Sequence, residues 1–117
     1  MSHQGYVSSQ LADDQTQVLM LDGEFDLVTT PKFEEAIDDA VYSGRRNLVI
    51  DLRRVSFLDG TMLQALARGC ALLLRLDRRF AVVRPRPLVW RTFVLTGLSR
   101  RLPSFSGVAE ALESFGG

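Results

Sequence analysis

The chain has 117 residues, of which 46% are hydrophobic and 24% are charged, as expected for one globular domain. It contains no apolar run near the roughly 20 residues that span a bilayer, and its first residues lack the basic and apolar regions of a signal peptide. The single cysteine, Cys70, excludes an internal disulfide. We therefore expect one cytoplasmic domain over residues 1–117.

The formal net charge is zero, but the charges are segregated along the chain. Residues 1–44 carry nine acidic residues against Lys32, whereas residues 45–101 carry thirteen arginines against three aspartates. Three explanations are open: the two halves pack together and neutralise each other, the arginines form a face for an acidic partner, or they bind nucleic acid. The third is not favoured, because the total charge is not basic and no nucleic-acid-binding motif is present.

The first part of the chain is predicted to form two strands and a helix. Residues 6–11 fit a short edge strand, and the short apolar segment at residues 17–23 fits a second strand. Thr30 can cap a helix that has Pro31 at its first position. Apolar residues at helical spacing give this helix one buried face, acidic residues occupy the opposite face, and Gly44 ends it.

The middle of the chain is predicted to form a central strand and a long helix. Residues 48–52 show no alternation, which is typical of a strand covered on both faces. A turn through residues 53–54 is expected next. Asp59 can then cap a helix from about Gly60 to Leu76. The wide apolar band of this helix indicates neighbouring helices or, alternatively, an exposed partner-binding patch near Met62.

The last part of the chain continues the alternation. Residues 79–83 fit a buried strand, Pro87 starts a third helix, residues 102–105 fit a short strand, and Val108 begins a closing helix. The predicted order is β-β-α-β-α-β-α-β-α. This order predicts an α/β fold with a single mixed but mostly parallel sheet that is covered by helices.

The residue types that ordinary catalysis requires are missing from the pattern. There is no glycine-rich phosphate loop and no Cys/His cluster with metal-ligand spacing. The only histidine, His3, is expected in a disordered terminus, and Cys70 is expected to be a small core residue of a helix. We therefore predict a protein that is not an enzyme and that uses no metal or cofactor.

Three segments, in order, resemble the STAS family, which includes bacterial anti-sigma factor antagonists and domains of anion transporters. Gly23, Glu24 and Asp26 are similar to the family's Gly-Glu-hydrophobic-Asp signature. Residues 48–59 are similar to its central strand and switch loop, and residues 95–98 with the ending at 109–112 are similar to its last part. The resemblance spans residues 17–113 and implies the STAS fold and a regulatory role.

In that family, the residue after the loop aspartate is often a serine or threonine that a partner kinase, itself the anti-sigma factor, phosphorylates. The resemblance places this position at a helix start, where N–H groups and the helix dipole favour an anion. A phosphate there adds a charge of about −1.5 to −2 and can break a complex. This chain departs from the pattern, because Gly60 follows Asp59 and Met62 replaces the usual glycine. Thr61 could be a phosphosite only if the helix start were displaced, since it otherwise points about 100° away.

The resemblance implies a partner-binding regulator that docks an anti-sigma kinase or a related protein, with no nucleic-acid or membrane partner. The predicted docking residues surround the switch loop and the helix start: Ser56, Asp59, Gly60, Thr61, Met62 and Leu63. One alternative is a small-ligand or anion sensor at the same helix start, with Arg53 and Arg54 nearby. Another is a structural subunit of a larger, stressosome-like sensory complex. The oligomeric state is left open.

Overall fold

Five strands pair in their chain order in the computed structural model, which describes residues 3–116. They are β1 (Tyr6–Asp13), β2 (Thr16–Phe25), β3 (Asn47–Leu58), β4 (Arg79–Val83) and β5 (Ser104–Phe105). β1 is antiparallel to β2, and every other neighbouring pair is parallel. The predicted mixed, mostly parallel sheet is confirmed. The expectations for Met1, Ser2 and Gly117 lie outside the described residues.

Four α-helices connect the strands and cover the sheet. They are α1 (Thr30–Ser43), α2 (Gly60–Arg75), α3 (Pro87–Leu95) and α4 (Val108–Glu113), with a 3-10 helix at Leu98–Arg101 that the sequence pattern did not predict. The larger core lies between one face of the sheet and the helices α1, α2 and α3. A smaller core lies under α4 on the other face, where Ala111 packs with Val49 and Ala81.

β3 is one continuous strand, so the predicted turn at residues 53–54 is wrong. Its register against β2 shifts twice, between Met20 and Asp22 and again between Gly23 and Glu24. These irregularities place additional β3 residues opposite β2, as in a β-bulge, and they bend the strand without ending it. As a result, β3 runs on to the carboxyl end of the sheet.

The described N-terminal residues are ordered, which corrects the expectation for His3. His3 Nε2 lies 2.8 Å from Asp22 Oδ1, and the His3 carbonyl accepts the N–H of Glu24 at 2.9 Å. This close approach is made beside Gly23, whose φ of +100° is a conformation that favours glycine. A Cβ at position 23 would lie 2.7 Å from the His3 carbonyl oxygen.

Charge neutralisation between the two halves of the chain is limited. Among residues 3–116, only two arginine–carboxylate pairs join the halves: Arg54 with Asp22 at 3.7 Å and Arg68 with Glu34 at 3.2 Å. Other arginines donate hydrogen bonds to backbone carbonyl groups instead. Arg78, for example, donates to the carbonyls of Val41 and Arg45 near the end of α1. The first explanation of the charge segregation therefore accounts for few of the thirteen arginines.

Gly23→Ala is expected to lower the free energy of unfolding by at least about 1 kcal/mol, because the new Cβ is strained by φ and meets the His3 carbonyl. Chemical denaturation measures this change. Gly60→Ala is the matched control, since position 60 has open space around a Cβ. Equal stabilities of the two variants would contradict the role assigned to Gly23.

Candidate partner-docking site

Asp59 joins the end of β3 to the start of α2. Its backbone N–H donates to the carbonyl of Phe25 at 3.1 Å. Its Oδ1 accepts the N–H of Met62 at 3.1 Å, and its carbonyl accepts the N–H of Leu63 at 3.1 Å. The extended backbone of Asp59 (φ −107°, ψ −176°) is that of an N-cap residue. The prediction that Asp59 caps a helix beginning at Gly60 is confirmed.

Met62 and Leu63 are core residues, which corrects their assignment to the docking surface. Met62 is 0% exposed, and its sulfur lies 3.7 Å from the hydroxyl of Thr30, which donates to it from the start of α1. Leu63 is also buried. The exposed patch expected near Met62 is absent because α1 packs against this side of α2, where Gly69 approaches Ile37. These residues therefore fix the position of the helix and leave contacts with a partner to others.

Gly60 and Thr61 form the exposed start of α2. Gly60 is exposed, and no heavy atom lies within 4 Å of the place a Cβ would occupy. Thr61 is half-buried at the second helical position. The backbone N–H groups of both residues have no backbone acceptor among residues 3–116, as is usual for the first turn of a helix. A side chain at position 60 would therefore enter solvent freely.

The loop between β2 and α1 is fixed by Asp26 and Thr29. Asp26 Oδ1 accepts the N–H groups of Thr29 at 3.1 Å and of Val28 at 2.9 Å. These bonds, led by that from Thr29, hold the pKa of the Asp26 carboxyl below its ordinary value. The Thr29 hydroxyl accepts the N–H of Asp26 and donates to the carbonyl of Glu24 at 3.0 Å. The signature residues thus shape the loop.

The N-cap of α1 is Thr29 and not the predicted Thr30. α1 begins at Thr30, so Pro31 takes the second helical position. Thr29 makes no side-chain cap bond to α1, because its hydroxyl is already bonded within the preceding loop.

Three exposed apolar residues lie on the chain segments next to the start of α2. Leu27 and Val28, at the tip of the β2–α1 loop, are 72% and 68% exposed, and Phe57 of β3 is 49% exposed. The bond from Asp59 to Phe25 brings this loop beside the helix start. We call this surface the Asp59 edge; it comprises Leu27, Val28, Phe57, Asp59, Gly60 and Thr61. The three apolar residues were not predicted, since they belong to no periodic pattern.

Ser56 lies just below this surface. The residue is half-buried, and its hydroxyl oxygen is enclosed with no hydrogen-bond partner among the described residues. The docking role predicted for Ser56 stays a prediction, and its enclosed hydroxyl is not available for contact with a partner.

Arg53 and Arg54 pair with aspartates of the sheet, whereas the anion-sensor alternative expects them near the start of α2. Arg53 Nη2 lies 2.9 Å from Asp51 Oδ2, and this hydrogen bond raises the pKa of the Arg53 guanidinium. Arg54 faces Asp22. Both residues precede Asp59 by at least five positions along an extended strand, a separation of about 15 Å or more.

The single cysteine and the acidic side chains complete the description of the reactive groups. Burial raises the pKa of the Cys70 thiol to about 12, as expected for a core cysteine. Among residues 3–116, no group of three or more histidine, cysteine or acidic side chains could hold a metal ion. Within the same residues, no helix has the length and apolarity required to cross a membrane.

A comparison with models of protein families identifies the family of this chain. The model described as "Mlab, STAS domain" matches residues 8–105. The chain belongs to the STAS domain family. The resemblance inferred from the signature and switch-loop residues is thereby confirmed.

STAS proteins similar to this chain include regulators of sigma factors. The anti-sigma-F factor antagonist RsfB of Mycobacterium tuberculosis is 36% identical over 81% of this chain and 77% of its own length. An anti-sigma-B factor antagonist of Staphylococcus aureus is 29% identical over 65% of this chain and 70% of its own. The crystal structure of an anti-sigma factor antagonist from Mycobacterium paratuberculosis superposes with a TM-score of 0.87 at 32% identity and covers 97% of both chains. These relatives support a partner-binding regulator.

Asp59→Ala is expected to lower the free energy of unfolding by about 0.5–2 kcal/mol, because the N–H of Met62 loses its acceptor. Chemical denaturation followed by circular dichroism measures the loss. Asp59→Asn keeps a capping oxygen and is the matched control, with near wild-type stability expected. Full stability of the alanine variant would show that the cap is dispensable.

Proposed function

We propose that this STAS protein is an anti-sigma factor antagonist that docks an anti-sigma kinase or a related regulatory protein through the Asp59 edge. The observation that carries the proposal is the exposed helix start at Gly60, bordered by three exposed apolar side chains. Clustered apolar residues with a polar rim are typical of protein–protein contacts. The helix start supplies free N–H groups at the centre of this surface.

The proposed regulator lacks the covalent switch of its family. Position 60 follows the loop aspartate and opens α2, which is where the resemblance places the phosphoacceptor, yet glycine has no hydroxyl. Because α2 is not displaced, Thr61 lies about 100° further around the helix. We therefore expect Thr61 to be no substitute acceptor. A protein of this kind stays competent to bind its partner while the partner kinase is active.

A phosphate at position 60 is expected to change partner binding without unfolding α2. A negative charge at the first helical position is stabilised by the N-terminal end of the helix dipole, so it does not unfold α2. Against a docked partner, the same charge must be desolvated and is repelled by nearby carboxylates.

Gly60→Asp is expected to weaken binding at least about tenfold relative to Gly60→Asn, since the two side chains differ in charge and hardly in volume. Isothermal titration calorimetry against the anti-sigma factors of the host measures both affinities. Both variants should retain the wild-type melting temperature, since position 60 has open space. Equal affinities would contradict the proposal that position 60 lies in the interface.

Gly60→Ser is expected to become a substrate of the docked anti-sigma kinase, because it restores a hydroxyl at the acceptor position. Incorporation of radiolabelled phosphate from ATP measures this gain. Gly60→Ser combined with Thr61→Ala should be labelled equally, and the wild type should remain unlabelled. Stoichiometric labelling of the wild type that disappears in Thr61→Ala would overturn the assignment.

A further inference from the structure

The outer face of α3 and of the following 3-10 helix is apolar and basic. Leu88 and Leu95 are 76% and 74% exposed, and Arg91 lies between them on the same side of the helix. Arg100 and Arg101 follow on the 3-10 helix, and both are exposed. No acidic residue occurs between positions 84 and 109. These three arginines make no ion pair among residues 3–116.

The outer face of α1 is acidic. Its four acidic side chains are all exposed: Glu34, Glu35, Asp38 and Asp39. Among the described residues only Glu34 has a basic partner, the exposed side chain of Arg68. Tyr42 is 94% exposed and lies on the side of Asp38 and Asp39 at the i+4 and i+3 spacings. This face therefore offers carboxylates beside one aromatic ring.

The two faces do not satisfy each other within one molecule. α1 packs against β1, β2 and α2, whereas α3 packs against β3 and the 3-10 helix. Both faces therefore remain open to another molecule. Because the net charge is zero, two copies are not repelled by their overall charge.

We propose that the α3 face of one copy docks on the acidic α1 face of a second copy. Arginine guanidinium groups pair with carboxylates in a directed, charge-assisted way, and the exposed leucines would lie against Tyr42 and the aliphatic parts of the acidic side chains. The contact joins two different surfaces and is therefore head-to-tail. It uses no residue of the Asp59 edge, so it is independent of the proposed partner docking.

Sedimentation of the purified chain at increasing protein concentration tests this proposal. In about 30 mM NaCl the average mass should rise above the monomer mass of 13.1 kDa, and in about 500 mM NaCl it should return to it, because exposed charges are screened. A monomer at both salt concentrations would overturn the proposal. So would an association that salt leaves unchanged.

Charge-reversal variants identify the faces. Arg91→Glu with Arg100→Glu should abolish the low-salt association. Arg46→Glu with Arg75→Glu changes the net charge equally on exposed side chains outside both faces, and it should stay within about threefold of the wild-type dissociation constant. Equal loss in both double variants would mean that net charge and not the α3 face governs association, and this would overturn the proposal.

The decisive experiment restores association by reversing charges on the α1 face as well. Adding Glu35→Lys and Asp39→Lys to Arg91→Glu and Arg100→Glu again places opposite charges at the reversed positions of the two faces and returns the net charge to zero. The fourfold variant should associate again at low salt, with its fold checked by circular dichroism. A folded, monomeric fourfold variant would contradict head-to-tail pairing of α1 with α3.

Discussion

The carboxylate of Asp59 fixes where α2 begins, and the exposed edge of the molecule depends on that point. The same residue bonds through its backbone to Phe25, so the ends of two strands and the start of a helix meet there. Directly beneath, Met62 is buried against Thr30 of α1. The result is a solvent-facing surface on a well-packed base, so the proposed partner would need to order few additional groups.

Local patterns predicted the parts of this arrangement that depend on neighbouring residues. The bounds of β4 and the start of α2 follow from unbroken apolar runs and from a capping carboxylate, and both agree with the structure. The absence of a hydroxyl at position 60 is also evident from the sequence, because it is a property of one residue. The alternation of strands and helices was enough to predict the sheet.

Features that depend on distant residues could not be predicted in the same way. β3 continues through Arg53 and Arg54 because β2 accommodates the register shifts, and the burial of Met62 depends on α1. The segregated charges suggested that the two halves of the chain neutralise each other, and the structure shows only two such ion pairs among residues 3–116. A count of charged residues considers only carboxylates as partners of arginine. Arg78 instead donates to backbone carbonyl oxygens, and these contacts cannot be predicted from composition.

The empty space around position 60 has an evolutionary consequence. Any small side chain fits there without movement of the backbone, so packing does not restrict which small residue occupies this position. Under the proposed function, proteins that share this fold would differ between constant and switchable binding by one substitution at this position.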